Sequence, residues 1–489
     1  MQLKRPILVG GLGLSASLWL LNLVGHSPVG HALGDGSAML GAIALGAGFW
    51  AFKQRSGTEI VVEPPLALCT VNKSAIESVI EKIEATLDTL VSELSEAAKS
   101  DKVQPVWVEI EKQRTAIAQI TQNTERNELT FAVIGNKSTG KSSLVTYLER
   151  RWQPNDFSSQ SKVTKITEVT GEETLPAKDA DLVLFVTAGD LTQSELQRLQ
   201  TLLKAGYRTH IVFNKQDQLV PADRQSVLQR IQTRVEALDI GVSAVSINPN
   251  PIKVRRHQED GTVVESTEQP EAQVKSLTDR LTYLVENEAE QLVLTTTFRQ
   301  AKALRQEVQQ LLNGQRRQRA LPIVEQMQWI AAGSAFTSPL PSLDLLASTA
   351  INAQLIVDLG AVYGQSFSLE QAKKAAGTLA ELLVKLGLVE LSTQALGGLL
   401  KAHFATYVAG GALQGVSAAY LTRMVGLSLI DFFEEQSLLP AEAQRFAFGE
   451  MGDRLQTIFK ATKQGLGLQA FVQQALSHLP MQPKAVPAQ

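Results

Sequence analysis

Two apolar runs open the chain, "ILVGGLGLSASLWLLNLVG" from Ile7 to Gly25 and "AMLGAIALGAGFWAF" from Ala38 to Phe52. A membrane span needs about 20 apolar residues, so the first is long enough and the second must borrow from its flanks. The intervening "HSPVGHALGDGS" is turn-rich, and Asp35 is its only formal charge. Lys4 and Arg5 precede the first run, and Lys53 and Arg55 follow the second. That distribution predicts a transmembrane hairpin over 1–55 with both ends cytoplasmic. A signal peptide is the rival, but no small-x-small cleavage site stands out and a second apolar run follows. From Asn72 the spacing becomes helical. Ile76, Ile80, Ile83, Leu87, Leu90, Leu94 and Ala97 alternate four and three apart, which is one seam of a coiled coil or bundle. With a weaker helical stretch over Val106–Glu125, this makes 56–128 a helical stalk. At Leu129 the pattern changes again. "LTFAVI", "DLVLFVT" (Asp181–Thr187), "THIVFN" (Thr209–Asn214) and "GVSAVSI" (Gly241–Ile247) read as strands with helical stretches between them. A parallel sheet with helices on both faces follows, over 129–290. A polar helix over Glu286–Gln318 carries the connector (291–320) and ends in "RRQR", Arg316–Arg319, either a solvated helix end or a contact with anionic lipid. Residues 321–440 are apolar and helical, broken at "TSPLPSLD" and "VYGQSFS". They read as a bundle at a membrane surface, followed over 441–489 by a terminal helix and a disordered tail.

Composition sharpens this in one respect. Charged residues make up 19% of the 489, against about 25% in soluble domains, which points to membrane contact or a very apolar domain. The net charge of −3 supplies no global basic field, so no nucleic acid partner is predicted. A single cysteine, Cys69, excludes an intramolecular disulfide and suits a reducing compartment. His26 and His31 read as loop residues rather than metal ligands.

The chemistry concentrates in two short motifs. "GNKSTGKSS" follows the first strand and precedes the helical "SLVTYLERR". Its Gly135, Gly140, Lys141 and Ser142 fit the G-x-x-x-x-G-K-S phosphate loop. Backbone N–H groups of Gly135, Asn136, Lys137, Ser138, Thr139, Gly140 and Ser143 would wrap phosphates at a helix N-terminus. Lys141 would pair with the outer phosphates, and Ser142 would offer its hydroxyl to Mg²⁺. The second motif, "NKQD", comprises Asn214, Lys215, Gln216 and Asp217 at the end of a strand. Asp217 can accept from the guanine N1–H and N2 amino group, which adenine cannot match. Lys215 would stack on the base, and Asn214 would bridge nucleotide and loop. In "VSINP", Ser246 and Ile247 are candidates for a backbone N–H near the guanine oxygen.

Together, Gly135–Ser142 and Asn214–Asp217 resemble the Era-like small GTPases. "PSLDLLASTAINAQLIVDLGAVYG" and "LVELSTQALGGLL" are similar to the C-terminal domain of YcjF-like membrane GTP-binding proteins of a type common in cyanobacteria. The resemblance covers roughly residues 129–436. It implies an α/β fold, with a P-loop (Ras/Era-like) parallel-sheet GTPase domain between N-terminal membrane and stalk helices and a C-terminal all-α domain. It also implies GTP/GDP and Mg²⁺ as cofactors, membrane lipid as partner, the GTPase domain on the cytoplasmic side, and a homodimer or a further protein partner.

The chain departs from that pattern where hydrolysis is decided. No D-x-x-G occurs between the loop and "DLVLF"; the stand-in is "EVTG", Glu168–Gly171. Thr164 or Thr167 could be the switch threonine on Mg²⁺, and Glu172 stands where a water-orienting glutamine would be expected. This trimmed switch predicts slow turnover of GTP to GDP and phosphate. The alternatives are a nucleotide-dependent scaffold that does not hydrolyse and a dynamin-like membrane remodeller. "KVRRHQEDG" (Lys253–Gly261) reads as a solvated loop beside the sheet.

Overall fold

The computed structural model describes residues 70–478, apart from 97–103, 153–161, 170, 172–174, 239, 258–262, 338–340, 404–409, 440–443, 445 and 465–466. The apolar runs predicted to form a membrane hairpin, the tail beyond 478, Ala97 and Glu172 lie outside the described residues.

At the centre is a five-stranded sheet of β1 (Glu128–Gly135), β2 (Lys162–Glu168), β3 (Leu182–Thr187), β4 (Thr209–Phe213) and β5 (Val242–Ala244), in the order β2-β1-β3-β4-β5. All four pairings are parallel. β1 and β3 are almost wholly buried, which is why they read as unbroken apolar runs rather than alternating ones. Successive side chains serve opposite faces. Leu129, Phe131, Val133, Leu182 and Leu184 pack with α3 (Lys141–Arg151) and α6 (Lys275–Asn287). Ala132, Ile134, Val183 and Phe185 pack with α4 (Gln193–Lys204) and α5 (Pro221–Val235).

Beyond the sheet, "KVRRH" is not a loop. It forms β6 (Ile252–His257), which pairs antiparallel with β7 (Val263–Glu268) as a separate two-stranded sheet. Arg255–Glu265 and Arg256–Glu268 ion pairs, each 2.7 Å, bind its strands together. Its arginines are exposed and meet carboxylates of the neighbouring strand, while 258–261 lie outside the described residues.

A single 49-residue helix, α7 (Ala289–Thr337), joins the rest. At about 1.5 Å per residue it is roughly 74 Å long, and it runs without a break through 320, where the sequence pattern set a boundary. Its first turns enter the sheet core through Leu292 and Val293. Its middle, from Ala301 to Leu312, receives the helical hairpin α1 (Lys73–Glu96) and α2 (Gln104–Asn123). The four-three seam of α1 is what it buries, with Ile83, Leu87 and Leu90 fully enclosed.

The C-terminal part of α7 forms a bundle with α8 (Pro341–Val362), α9 (Leu369–Lys385), α10 (Leu388–His403) and α11 (Gly410–Leu438). Two further helices, α12 (Gly452–Gln464) and α13 (Gly467–His478), add Leu455, Phe459, Phe471 and Val472 to the same core. The 441–489 segment, expected to hold one terminal helix, therefore completes the bundle. Phe367, Phe432, Phe433, Phe446 and Phe448 interlock with ring centroids 5.5 to 6.3 Å apart. Leu413–Leu438 of α11 is long and apolar enough to cross a membrane, but 72% of its most apolar stretch is buried inside the protein. Most of that stretch already has protein partners.

The "RRQR" cluster does not end a helix, and each of its arginines is paired with carboxylates. Arg316 is buried and donates to Glu93 Oε1 (2.8 and 3.1 Å) and to the Tyr363 carbonyl (3.1 Å). Arg319 also pairs with Glu93, and Arg317 reaches Asp431 and Glu434 at 2.9 Å each. These charges tie α1, α7, α8 and α11 together in mid-helix.

Candidate functional site

The sheet ends in a polar cleft of about 490 Å³ at the carboxyl ends of β1 and β4, the edge of an open α/β sheet where ligands bind. The segment after β1 builds one wall. Gly135 (φ 152°) and Gly140 (φ 97°) are both positions where a side chain cannot fit. A Cβ on Gly135 would run into the Val186 carbonyl, and one on Gly140 into Asn214 Nδ2. Gly140 caps α3 without any side-chain hydrogen bond, so the N–H groups of its first turn open on the cleft beside Lys141, Ser142 and Ser143. Only Ser138 and Lys215 are non-glycine residues with positive φ among the described residues, each at 61°. Both line the cleft, so the strained backbone collects there.

Inside the loop, Lys141 Nζ donates to the Asn136 carbonyl at 2.8 Å, and Thr139 Oγ1 to the same oxygen at 3.0 Å. Asn214, buried at the end of β4, sends Nδ2 to the Thr139 carbonyl (2.9 Å) and accepts the Ile247 N–H on Oδ1 (3.2 Å). One side chain thereby joins the loop after β1 to the loop after β5. The Lys215 backbone turns left-handed, and a short 3₁₀ turn, Gln216–Gln218, carries Asp217. Asp217 is half-buried; its Oδ2 accepts the Asn250 N–H at 3.1 Å.

The site residues read from the sequence are therefore only partly gathered. Lys137, Ser138, Gly140, Lys141, Ser142, Ser143, Asn214 and Lys215 line the cleft together with Glu168. Gly135, Asn136 and Thr139 shape the loop behind that lining, and Asp217 stands beside it. Thr164 is not brought in. It is an exposed residue of β2, four positions before Glu168, or about 13 Å back along the strand. Thr167 points to the Phe131 carbonyl (3.4 Å). Ser246 and Ile247 do not offer N–H groups to the cleft, because the Ser246 N–H bonds to the Gln273 carbonyl and the Ile247 N–H to Asn214. Ser246 Oγ instead accepts the Asp217 N–H at 3.0 Å.

Three lining residues escaped the sequence reading: Gln218, Asn248 and Asn250. A signal for the last two exists in "NPNP", three residues beyond β5, a turn-forming stretch at the same sheet end as the other motifs. For the metal, the fit is partial. Ser142 supplies a hydroxyl and Glu168 a carboxylate to one cleft, while Thr164 lies outside it. No cluster of three or more metal-ligating side chains occurs among the described residues.

From Glu168 the chain leads to a segment clamped by α7. Arg198 donates to the Gly171 carbonyl (3.0 Å), and Tyr207 to that of Pro176 (2.9 Å). Gln300 holds the Lys178 carbonyl (2.9 Å), Arg299 that of Ala180 (2.8 Å), and Lys178 pairs with Glu307 (2.9 Å). The buried Arg299 guanidinium also lies 3.8 Å over the Tyr207 ring. Next to it, Arg126 grips Asp181 at 2.5 and 3.0 Å, and burial nevertheless pushes the Asp181 carboxyl above the usual range.

Residues 299–464 match the family described as "Domain of unknown function (DUF697)", a domain found in YcjF-like and GTPase-associated proteins. No curated protein matches the chain in sequence. The match begins at Arg299, on the stretch of α7 that clamps 175–181, and covers most of the bundle.

Proposed function

We propose that the cleft binds a guanine nucleotide with Mg²⁺ and that the chain is a membrane-associated, slow GTPase acting as a switch. Asn214 is the observation that carries this reading. It couples a glycine-shaped, N–H-rich loop to the loop after β5, whose Ser246 and Asn250 hold Asp217, as a ligand with phosphates at one end and a base at the other requires. The Asn250 N–H on one Asp217 oxygen orients the carboxylate to accept from guanine. Lys141 would leave the Asn136 carbonyl for the outer phosphates. Ser142 would hold Mg²⁺ with the phosphate oxygens, and Glu168 would bind its water shell. The ion neutralises phosphate charge when bound. Slow turnover follows from Thr164 lying outside the cleft, and the same observation favours a second reading, a scaffold that binds GTP without splitting it. A change at Glu168 would reach the bundle through 175–181, whose Lys178 and Ala180 are held by α7. Membrane attachment in this reading comes from the apolar runs at 7–25 and 38–52.

Titration of the full chain with GTP and ATP, with phosphate release followed with and without lipid vesicles, tests the proposal. GTP is expected to win, and Asp217→Asn to transfer the preference to xanthosine triphosphate, whose O2 can accept the new amide N–H. Equal competition by ATP would end the guanine reading. Phosphate release no faster than that of Lys141→Ala would decide for the scaffold.

A further inference from the structure

Glu195 is a buried carboxylate, 4% exposed, one turn into α4 and 59 residues from the phosphate loop in sequence. Its two oxygens have different tasks. Oε2 closes the capping box of α4, accepting the Thr192 N–H and hydroxyl at 2.8 Å each. Capping requires no more than this. Oε1 leaves its own helix and accepts Asn136 Nδ2 at 3.0 Å. Asn136 in turn presents the backbone carbonyl on which Lys141 Nζ and Thr139 Oγ1 converge. A carboxylate beside a phosphate-binding loop works against anion binding by charge alone, so its placement there calls for a compensating role.

We propose that Glu195 is a positioning residue for Lys141. By fixing Asn136 it holds the loop peptide open, so that Lys141, on leaving the Asn136 carbonyl, meets the outer phosphates in a preformed loop. The inference rests on the nucleotide reading above and deepens it. It predicts a dependence on phosphate number: a ligand that reaches Lys141 should feel the loss of Glu195, and guanosine monophosphate should not.

The test is a double-mutant cycle on the full chain, with GTP and GMP affinities measured for wild type, Glu195→Ala, Asn136→Ala and the double variant. Each single change is expected to weaken GTP about tenfold, the scale of one charge-assisted hydrogen bond. GMP should stay within about twofold, and the double variant should be no worse than either single one. The sign is diagnostic, because removing a negative charge would otherwise tighten GTP. GTP affinity unchanged or improved in Glu195→Ala, a parallel fall for GTP and GMP, or additive losses in the double variant would each overturn the proposal. If Glu195→Ala fails to fold, Asn136→Ala leaves the capping box intact and decides alone: unchanged GTP affinity overturns the inference. A wild-type chain that binds no GTP would instead bring down the nucleotide reading on which it stands.

Discussion

Replacing Asn214 by alanine should separate the two halves of the cleft. The side chain makes two bonds, to the Thr139 carbonyl at 2.9 Å and from the Ile247 N–H at 3.2 Å. Thr139 and Ile247 are themselves buried, 5% and 7% exposed, so water reaches the orphaned groups poorly. A buried polar group left unpaired costs about 1–3 kcal/mol, which bounds the sum for two at about 2–6 kcal/mol. The cleft is open and polar, and partial rehydration places the expected value near the lower end, about 2–3 kcal/mol. The bonds already exist without ligand, so this cost lowers GTP affinity only as far as the free chain relaxes where the bound chain cannot; at about 1.4 kcal/mol per decade the ceiling is roughly 30- to 150-fold. Calorimetric titration of the full chain would read it. Asn214→Asp is the control. It can still accept from Ile247 but sets a carboxylate against the Thr139 carbonyl, so it should bind no better than Asn214→Ala. GTP affinity within threefold of wild type in Asn214→Ala would refute the view that this side chain assembles the site.

Three other outcomes are expected. Thr164→Ala should leave GTP affinity and phosphate release within about twofold of wild type, whereas Glu168→Ala should slow release; a Thr164 variant with the larger defect would contradict the placement of that residue outside the cleft. Arg316→Ala removes both contacts to Glu93 and the bond to the Tyr363 carbonyl and should destabilise the α1–α7 joint by about 2–4 kcal/mol, seen as faster hydrogen exchange in α1. His210 is buried in β4 against Ser243 (2.9 Å), and burial, with Arg280 adding to it, pushes its imidazole down to about 4. The unfolded chain takes up this proton first, so its contribution to stability is complete above pH ~6.5 and falls by about 3 kcal/mol as pH drops to ~4. His210→Gln should remove that part of the slope in denaturant titrations across pH.

Much of the site was legible because its rules are local. Gly135, Gly140 and the Lys141–Ser143 helix start lie within nine consecutive residues, and a glycine that must adopt positive φ leaves its mark in the sequence whatever surrounds it. "NKQD" was legible because it ends a strand. The residues that were misplaced share another property. Thr164 looked plausible by spacing alone, but pairing register puts it four residues short of the cleft. Ser246 and Ile247 do lie in the loop after β5, but their N–H groups are taken up by Gln273 and Asn214, and no local pattern reveals a partner at that separation.

Sequence alone determined the change of period from helical seam to parallel strands to apolar bundle, and the two short motifs that meet at the cleft, because periodicity and backbone conformation are properties of neighbouring residues. Tertiary structure alone decided the rest. It made "RRQR" an internal latch by supplying Glu93 from 223 residues away, and it made "KVRRH" a strand by pairing its backbone with Val263–Glu268. A charge carries no record in its own sequence of whether its counterion will be water, lipid or a distant carboxylate. Desolvation in the folded chain settles that choice.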